Sequence, residues 1–359
     1  MQVNEALQRH ISGLVPAISG LDLQATGTRV RVSVEEGRMA VALSLGYPLD
    51  PDSIRLLRAS VEDVARAEGL ELASLELGIR VQAHEVQPNV APLPRVRNII
   101  AVGSGKGGVG KSTTAVNLAL ALAGLGAKVG VLDADVYGPS VPMMLGLSGR
   151  PDSPDGKSIE PMRAHGVEAM SIGLLVDQDT PMIWRGPMAT SALTQLLTET
   201  LWGDLDYLIV DLPPGTGDIQ LTLAQKIPVA GAVIVTTPQD IATLDARKAL
   251  KMFEKLQIPV LGLVENMAVH VCSQCGHVEH LFGQGGGERM AAQYGIPLLG
   301  SLPLQLGIRE QGDAGLPIVA AAPQSDAASA FRSTALRMAA RLAARPRAAM
   351  PIASSLLGG

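Results

Sequence analysis

The chain has 359 residues, 47% of them apolar and only 3% aromatic, enough for one to three domains with cores of Leu, Val, Ile, Ala and Met. A formal net charge of −5 argues against a dedicated nucleic-acid binder, and two cysteines are too few for a disulfide framework. The start MQVNEALQRHISGLVPAISG lacks a secretory pattern, and no apolar run reaches the roughly eighteen residues of a membrane helix, so a cytoplasmic protein is the default expectation.

Residues 1–83 read as a small α+β unit. Val30, Val32 and Val34 alternate, Glu36-Gly37 turns, and Met39, Val41, Leu43 and Leu45 alternate again, a hairpin pattern. Ile54, Leu57, Val61 and Val64 then recur at helical spacing, followed by alternation at Leu75, Leu77, Ile79 and Val81. Residues 84–97 carry prolines and little periodicity and read as a linker. From Asn98 to about residue 344, short apolar runs (NIIAVG, KVGVLDAD, YLIVDLPP, AGAVIVTTP, PVLGLVENM) alternate with helical segments. Strands buried on both faces look like this, so the expected fold is α/β, a mostly parallel sheet flanked by helices. A last helix is expected over about Ser325 to Ala344, with 345–359 as a flexible tail.

The strongest local signal is Gly105-Lys106-Gly107-Gly108-Val109-Gly110-Lys111-Ser112, with Thr113 opening the following helix. It fits G-x-x-x-x-G-K-S between an apolar strand and a helix. The glycines let successive backbone N–H groups face phosphate oxygens, and the helix N-terminus adds its partial positive charge. Lys111 is expected on the β- and γ-phosphates, and the Ser112 hydroxyl on Mg²⁺. Two apolar strands end in carboxylates, Asp133 and Asp135 after one and Asp211 after the other. Carboxylates at the carboxyl ends of such strands can hold Mg²⁺ or orient an attacking water.

Cys272 and Cys275 form a C-x-x-C pair, a spacing at which two thiolates can share one soft metal centre. The pair is placed in a loop between a strand ending near Met267 and a helix near Gly285 to Tyr294. A cubane iron–sulfur cluster takes four cysteines, which two copies meeting on a twofold axis would supply. Three other readings stay open: zinc held with two of His270, His277 and His280, a redox pair, and two unliganded cysteines.

The two-lysine loop GKGGVGKS resembles the deviant Walker A ATPases, such as the ParA-, MinD- and nitrogenase-iron-protein-like groups. That resemblance implies an ATP-linked homodimer in which Lys106 reaches the partner's phosphates. It makes Asp133 and Asp211 the magnesium-side carboxylates, Asp135 the residue that positions water beside Lys106 and Lys111, and Asn266 a contact to adenine. Together with DADVYGPS, the MIWRGPM stretch (Met182 to Met188), DLPPGTGD, ENM…CSQCG, LFGQGGG and GSLPLQLGIREQGDAGLPI, the chain over about 95–340 resembles the Mrp/ApbC-type iron–sulfur cluster carriers. The resemblance implies a [4Fe–4S] cluster bridged by Cys272 and Cys275 of two subunits. It also implies slow ATP hydrolysis, delivery to apo iron–sulfur proteins, and exchange with cluster scaffold proteins, with neither nucleic acid nor stable membrane association.

The first 83 residues resemble the small iron–sulfur-assembly domain fused to some members. Stand-alone relatives carry a cysteine where this chain reads GYPLDPDS, so no cluster is expected on this unit. Two alternatives remain. One is a MinD-like positioning ATPase with a structural zinc, which would use the stripe Phe331, Ala335, Met338 and Leu342, flanked by Arg332, Arg337 and Arg341, as a lipid face. The other is an electron-transfer ATPase, disfavoured because its bridging cysteines lie far apart in the chain.

Overall fold

The computed structural model describes residues 2–175, 186–272 and 274–348. The expected tail from 349 onward, and Met182 to Arg185 of the MIWRGPM stretch, lie outside the described residues.

The N-terminal unit is built from α1 (Gln2–Ser12), β1 (Arg29–Glu35), β2 (Arg38–Leu45), α2 (Pro51–Ala67) and β3 (Glu71–Ile79). Glu36 and Gly37, at φ of 49° and 76°, make the tight turn that joins β1 and β2 antiparallel. The Asp50 carboxylate caps α2 by accepting from the Ser53 N–H, with Pro51 in the first turn. The helix then carries the chain over so that β3 lies parallel to β2.

The second unit runs through β4 (Ile99–Ser104), α3 (Lys111–Gly124), β5 (Val129–Asp133), α4 (Val141–Met144), β6 (Met162–Ala164), β7 (Val167–Ser171), α5 (Gly186–Glu199), β8 (Tyr207–Asp211), α6 (Asp218–Lys226) and β9 (Val229–Thr236). It continues with α7 (Asp240–Lys255), β10 (Val260–Val271), β11 (Val278–Glu279), α8 (Gly286–Tyr294), β12 (Leu298–Leu304), α9 (Leu306–Asp313), α10 (Ile318–Ala321) and α11 (Asp326–Ala343). Among the described residues these form a nine-stranded sheet in the order β11-β10-β9-β4-β8-β5-β7-β6, with β12 also on β10. Only β6 with β7 and β10 with β11 pair antiparallel. Strands β4, β5, β8 and β9 are buried at every residue, as continuous apolar runs in a helix-covered parallel sheet should be. Because β4 lies between β8 and β9, the loops leaving β4, β5 and β8 converge at one end of the sheet, where such folds bind ligands.

Helix α11, capped by Ser325, packs on β12 and α3. Its stripe of Phe331, Ala335, Met338 and Leu342 is buried, so that face is occupied by the core rather than free for lipid.

The two units share one apolar core, in which Tyr47, Leu45 and Leu49 of the first join Phe331, Met338 and residues of α3. Residues 45–49, inside and beside the GYPLDPDS segment, are all buried. The segment read as a linker is fastened to the second unit. The buried Gln87 amide donates to the carbonyls of Ala224 and Ile227 and accepts from Val229 N–H at 2.9 Å. His84 meets the Asn98 side chain through its backbone N–H and Nδ1. The first residues of the expected tail are anchored as well: Glu85 N–H donates to Pro346 C=O, and Ala348 N–H to Ala83 C=O.

Candidate functional site: phosphate loop, carboxylate triad and cysteine hairpin

The phosphate loop leaves β4 and turns into α3 through Gly108 and Gly110, both at φ 78°, a region that L side chains avoid. Gly110 is the N-cap of α3, and a Cβ there would collide with the Asn266 amide. A Cβ on Gly105 would strike the α7 backbone at Asp245. The loop thus needs glycine for conformation at one end and for close packing at the other. Gly107 and Gly108 are exposed, Val109 is buried, and Ser112 and Thr113 are half-buried at the mouth of α3.

Lys111 is 6% exposed and its Nζ lies 2.6 Å from Asp211 Oδ1, 3.8 Å from Asp135 Oδ2 and 3.3 Å from Ser112 Oγ. The structure therefore brings Lys111, Ser112, Asp133, Asp135 and Asp211 into one buried cluster. Asp133 accepts from the N–H groups of Asp135 and Val141 and from the Ser171 hydroxyl, all at 3.1 Å. Burial first, and the Asp211 charge second, push its carboxyl from the ordinary 3.8 up to about 7, against those N–H groups and Lys111. Burial also raises Asp135, with Lys111 pulling the other way. Asp211 Oδ2 is buried with no hydrogen-bond partner. The Asp133 and Asp211 carboxylates, one Asp211 oxygen orphaned, together with the Ser112 hydroxyl are hard oxygen donors of the kind Mg²⁺ takes, with waters and phosphate oxygens completing its shell.

Lys106 is half-buried and is in no ion pair among the described residues, so its charge is free. Beside the loop lies a cavity of about 300 Å³ lined by Thr113, Asn266, Met267, Pro303, Leu304 and Ile308, with Arg309 and Asp313 also in its wall, mostly apolar and of a size for a nucleoside. Asn266, expected at adenine, stands at this cavity and donates from Nδ2 to Val109 C=O at 2.9 Å.

The cysteines lie at the tip of a hairpin rather than in an unstructured loop. Strand β10 does not stop near Met267: it continues to Val271 and folds back as β11. Cys272 N–H donates to His277 C=O and Gly276 N–H to Cys272 C=O, each at 2.9 Å. Cys275 is exposed and Cys272 partly so. Backbone N–H groups of Cys275 and Gln274, then the Cys275 side chain, hold the Cys272 thiol below its usual range, which favours the thiolate that ligates metal. The three histidines do not converge on the pair. His270 Nδ1 donates to Leu304 C=O (3.1 Å), His280 Nδ1 to Ala268 C=O (3.0 Å), and His277 Nε2 lies 3.6 Å from Glu279. Among the described residues no three His, Cys, Asp or Glu side chains are grouped to hold one metal ion.

Two contributors escaped the sequence reading. Ser171 orients Asp133. Glu265, 4% exposed, accepts from Gly287 N–H at 2.7 Å and fixes α8 to the sheet; a carboxylate inside the apolar run LVENM was its available signal.

Large apolar side chains are exposed around the same end of the sheet: Tyr137 after β5, Ile241 and Leu244 opening α7, Leu306 after β12, and Val278 and Leu281 on the hairpin. Among the described residues no helix is long and apolar enough to cross a membrane.

Comparison with known proteins places this arrangement. The chain is 58% identical over 275 residues to an iron–sulfur cluster carrier protein of Pseudomonas fragi, covering 76% of this chain and 96% of that one. A solved nucleotide-binding protein of Archaeoglobus fulgidus, in complex with ADP, superposes with a TM-score of 0.54 at 40% identity over 62% of this chain and 87% of its own. The cell-division ATPase MinD of Pyrococcus furiosus shares the fold, with a TM-score of 0.50 at 23% identity over 67% of this chain and 98% of its own. A family profile described as ParA, NUBPL iron-transfer P-loop NTPase, matches residues 95–339, and the chain belongs to that family.

Proposed function

We propose that this protein is an iron–sulfur cluster carrier that binds a [4Fe–4S] cluster between the Cys272 and Cys275 pairs of two subunits and passes it to apo-proteins, with ATP binding and slow hydrolysis in the same homodimer. The observation that carries this reading is the exposed cysteine hairpin on the nucleotide-binding end of the sheet, which offers two thiolates and, among the described residues, no third ligand beside them. A cubane needs about four such ligands. A twofold axis through the hairpins supplies them, and the apolar rim of Tyr137, Ile241, Leu244 and Leu281 gives the second copy a surface to bury.

In this reading the glycine loop and the N-terminus of α3 bind the phosphates, and the nucleoside enters the cavity beside Asn266. Lys111 exchanges its Asp211 contact for the phosphates. Ser112, Asp133 and Asp211 would hold Mg²⁺, which would supply charge neutralisation at the phosphate oxygens. Asp135 orients the attacking water, its raised affinity for a proton suiting it to accept one. The unpaired Lys106 extends to the partner's nucleotide, which makes hydrolysis depend on the dimer. The shared core holds the N-terminal unit at the opposite end of α3 from the phosphate loop, Ile79 lying over Gly126, so that unit takes no part in the chemistry.

The test is transfer. Cluster-loaded protein is mixed anaerobically with an apo-dehydratase that needs a [4Fe–4S] centre, with an iron chelator present to intercept free iron. Recovery of dehydratase activity together with loss of iron from the carrier is expected. Retention of all iron by the carrier would reject delivery as its function.

A further inference from the structure

We infer that strand β10 is a wall shared by the nucleotide cavity and the cysteine hairpin, so that nucleotide occupancy sets the reactivity of Cys272 and Cys275, with His270 as the residue that fastens one to the other. This rests on the nucleotide-site reading above and extends it to the coupling between the two sites.

At Glu265, after smaller register shifts at Val260/Gly262 against β9 and at Leu263/Val264 against β12, β10 is paired on both sides, with Thr236 of β9 and Ser301 of β12. The Glu265 carboxylate on Gly287 N–H fixes this point to the first turn of α8. Immediately beyond it the register breaks: the next pairs with β12 are Val269 with Pro303 and His270 with Leu304. The extra residues are taken up in a bulge whose centre, Met267, has φ 55°, a conformation that L side chains other than Asn and Asp seldom adopt. The bulge turns Asn266 onto the phosphate loop at Val109 C=O and sets Met267 into the cavity.

Past the bulge, the β12 partners with which pairing resumes, Pro303 and Leu304, line the cavity. His270 adds a side-chain bond from Nδ1 to Leu304 C=O, and Cys272 follows two residues later. A nucleoside entering the cavity therefore touches β10 at the bulge and β12, the strand against which β10 pairs as it runs into the hairpin. Strained backbone of this kind clusters at ligand clamps and switch regions. Binding at the two sites must then be reciprocal: the factor by which nucleotide alters thiolate ligation is the factor by which a bound cluster alters nucleotide affinity.

The experiment uses the full, metal-free protein and measures iodoacetamide alkylation of the two cysteines with and without saturating Mg-ADP. Occupancy is established beforehand by titration with a fluorescent ADP analogue. Nucleotide is expected to change the wild-type rate by about fivefold or more, the low end of ordinary coupling between sites. His270→Asn, which keeps an N–H donor near the Nδ1 position, should retain that ratio. His270→Ala should reduce it to below about twofold at full occupancy. The compared quantity is the nucleotide-dependent ratio, so a general loosening of the hairpin, which raises both rates, does not mimic the effect. An unchanged wild-type rate with ADP bound would overturn the proposal. So would a full effect in His270→Ala, which would assign protection to the dimer contact. No ADP binding in the titration would overturn the nucleotide-site reading itself, an outcome visible before any alkylation is measured.

Discussion

Among the described residues Lys111 is the one cation paired with these inward carboxylates, with Asp133 and Asp211 fully buried and Asp135 9% exposed, and this makes a prediction about stability as well as binding. Replacing it with methionine keeps the packing and leaves the carboxylates uncompensated. Breaking a buried ion pair by removing one partner costs about 3–5 kcal/mol. At about 2–4 °C per kcal/mol for a domain of this size, the melting temperature should fall by about 6–20 °C. The assay is calorimetry of nucleotide-free protein in chelator at pH 8, where Asp133 is largely ionised in wild type. Lys111→Met combined with Asp211→Asn should recover much of the loss, giving a coupling of about 2 kcal/mol or more between the two positions. A Lys111→Met protein melting within about 2 °C of wild type, or losses that simply add in the double variant, would refute the argument that this lysine holds the carboxylates together.

Asp133 carries a pH signature. Its carboxyl is near 3.8 when unfolded and about 7 when folded, so its contribution to stability is full below about 3.8 and is lost as pH rises through about 7. Wild type should therefore lose melting temperature relative to Asp133→Asn between pH 4 and pH 7; a difference constant across that range would contradict the burial argument. Lys106→Ala should bind ADP as wild type does yet hydrolyse ATP no faster than a dilute monomer, checked by turnover against protein concentration. Wild-type turnover in that variant would remove the role in trans. Gly110→Ala forces a side chain into a left-handed conformation and against Asn266. It should cost about 1–2 kcal/mol from the backbone alone and abolish nucleotide binding by titration; tight binding in that variant would contradict the packing described.

Much of the nucleotide site was legible because its signals are local. Gly105 to Ser112 carry their reason in adjacent residues, and Asp133 and Asp211 end apolar runs whose burial the sequence declares. The cysteine hairpin was less so. The pair itself is plain, but the continuation of β10 past Met267 depends on pairing with Pro303 and Leu304 more than thirty positions onward, and a methionine at positive φ carries no glycine to mark the bulge. Residues 84–97 misled for a related reason. Prolines and missing periodicity read as a linker and give no sign that it is fastened, whereas the Gln87 amide satisfies backbone groups of the second unit and His84 meets the Asn98 side chain, a pattern with no period to detect. The shared core of the two units was equally hidden, since Tyr47 and Leu49 look like ordinary members of a small domain until α11 is packed against them.

The most direct measurement is anaerobic reconstitution with iron and sulfide, reading the visible spectrum, iron and sulfide per chain, and solution mass for wild type, Cys272→Ala and Cys275→Ala. A cubane shared by two chains predicts roughly two irons and two sulfides per chain in a dimer, absent from both variants because each removes two of four ligands. Zinc retained by a monomer without cluster colour, or a stable cluster in either variant, would contradict the bridged cluster on which the account depends.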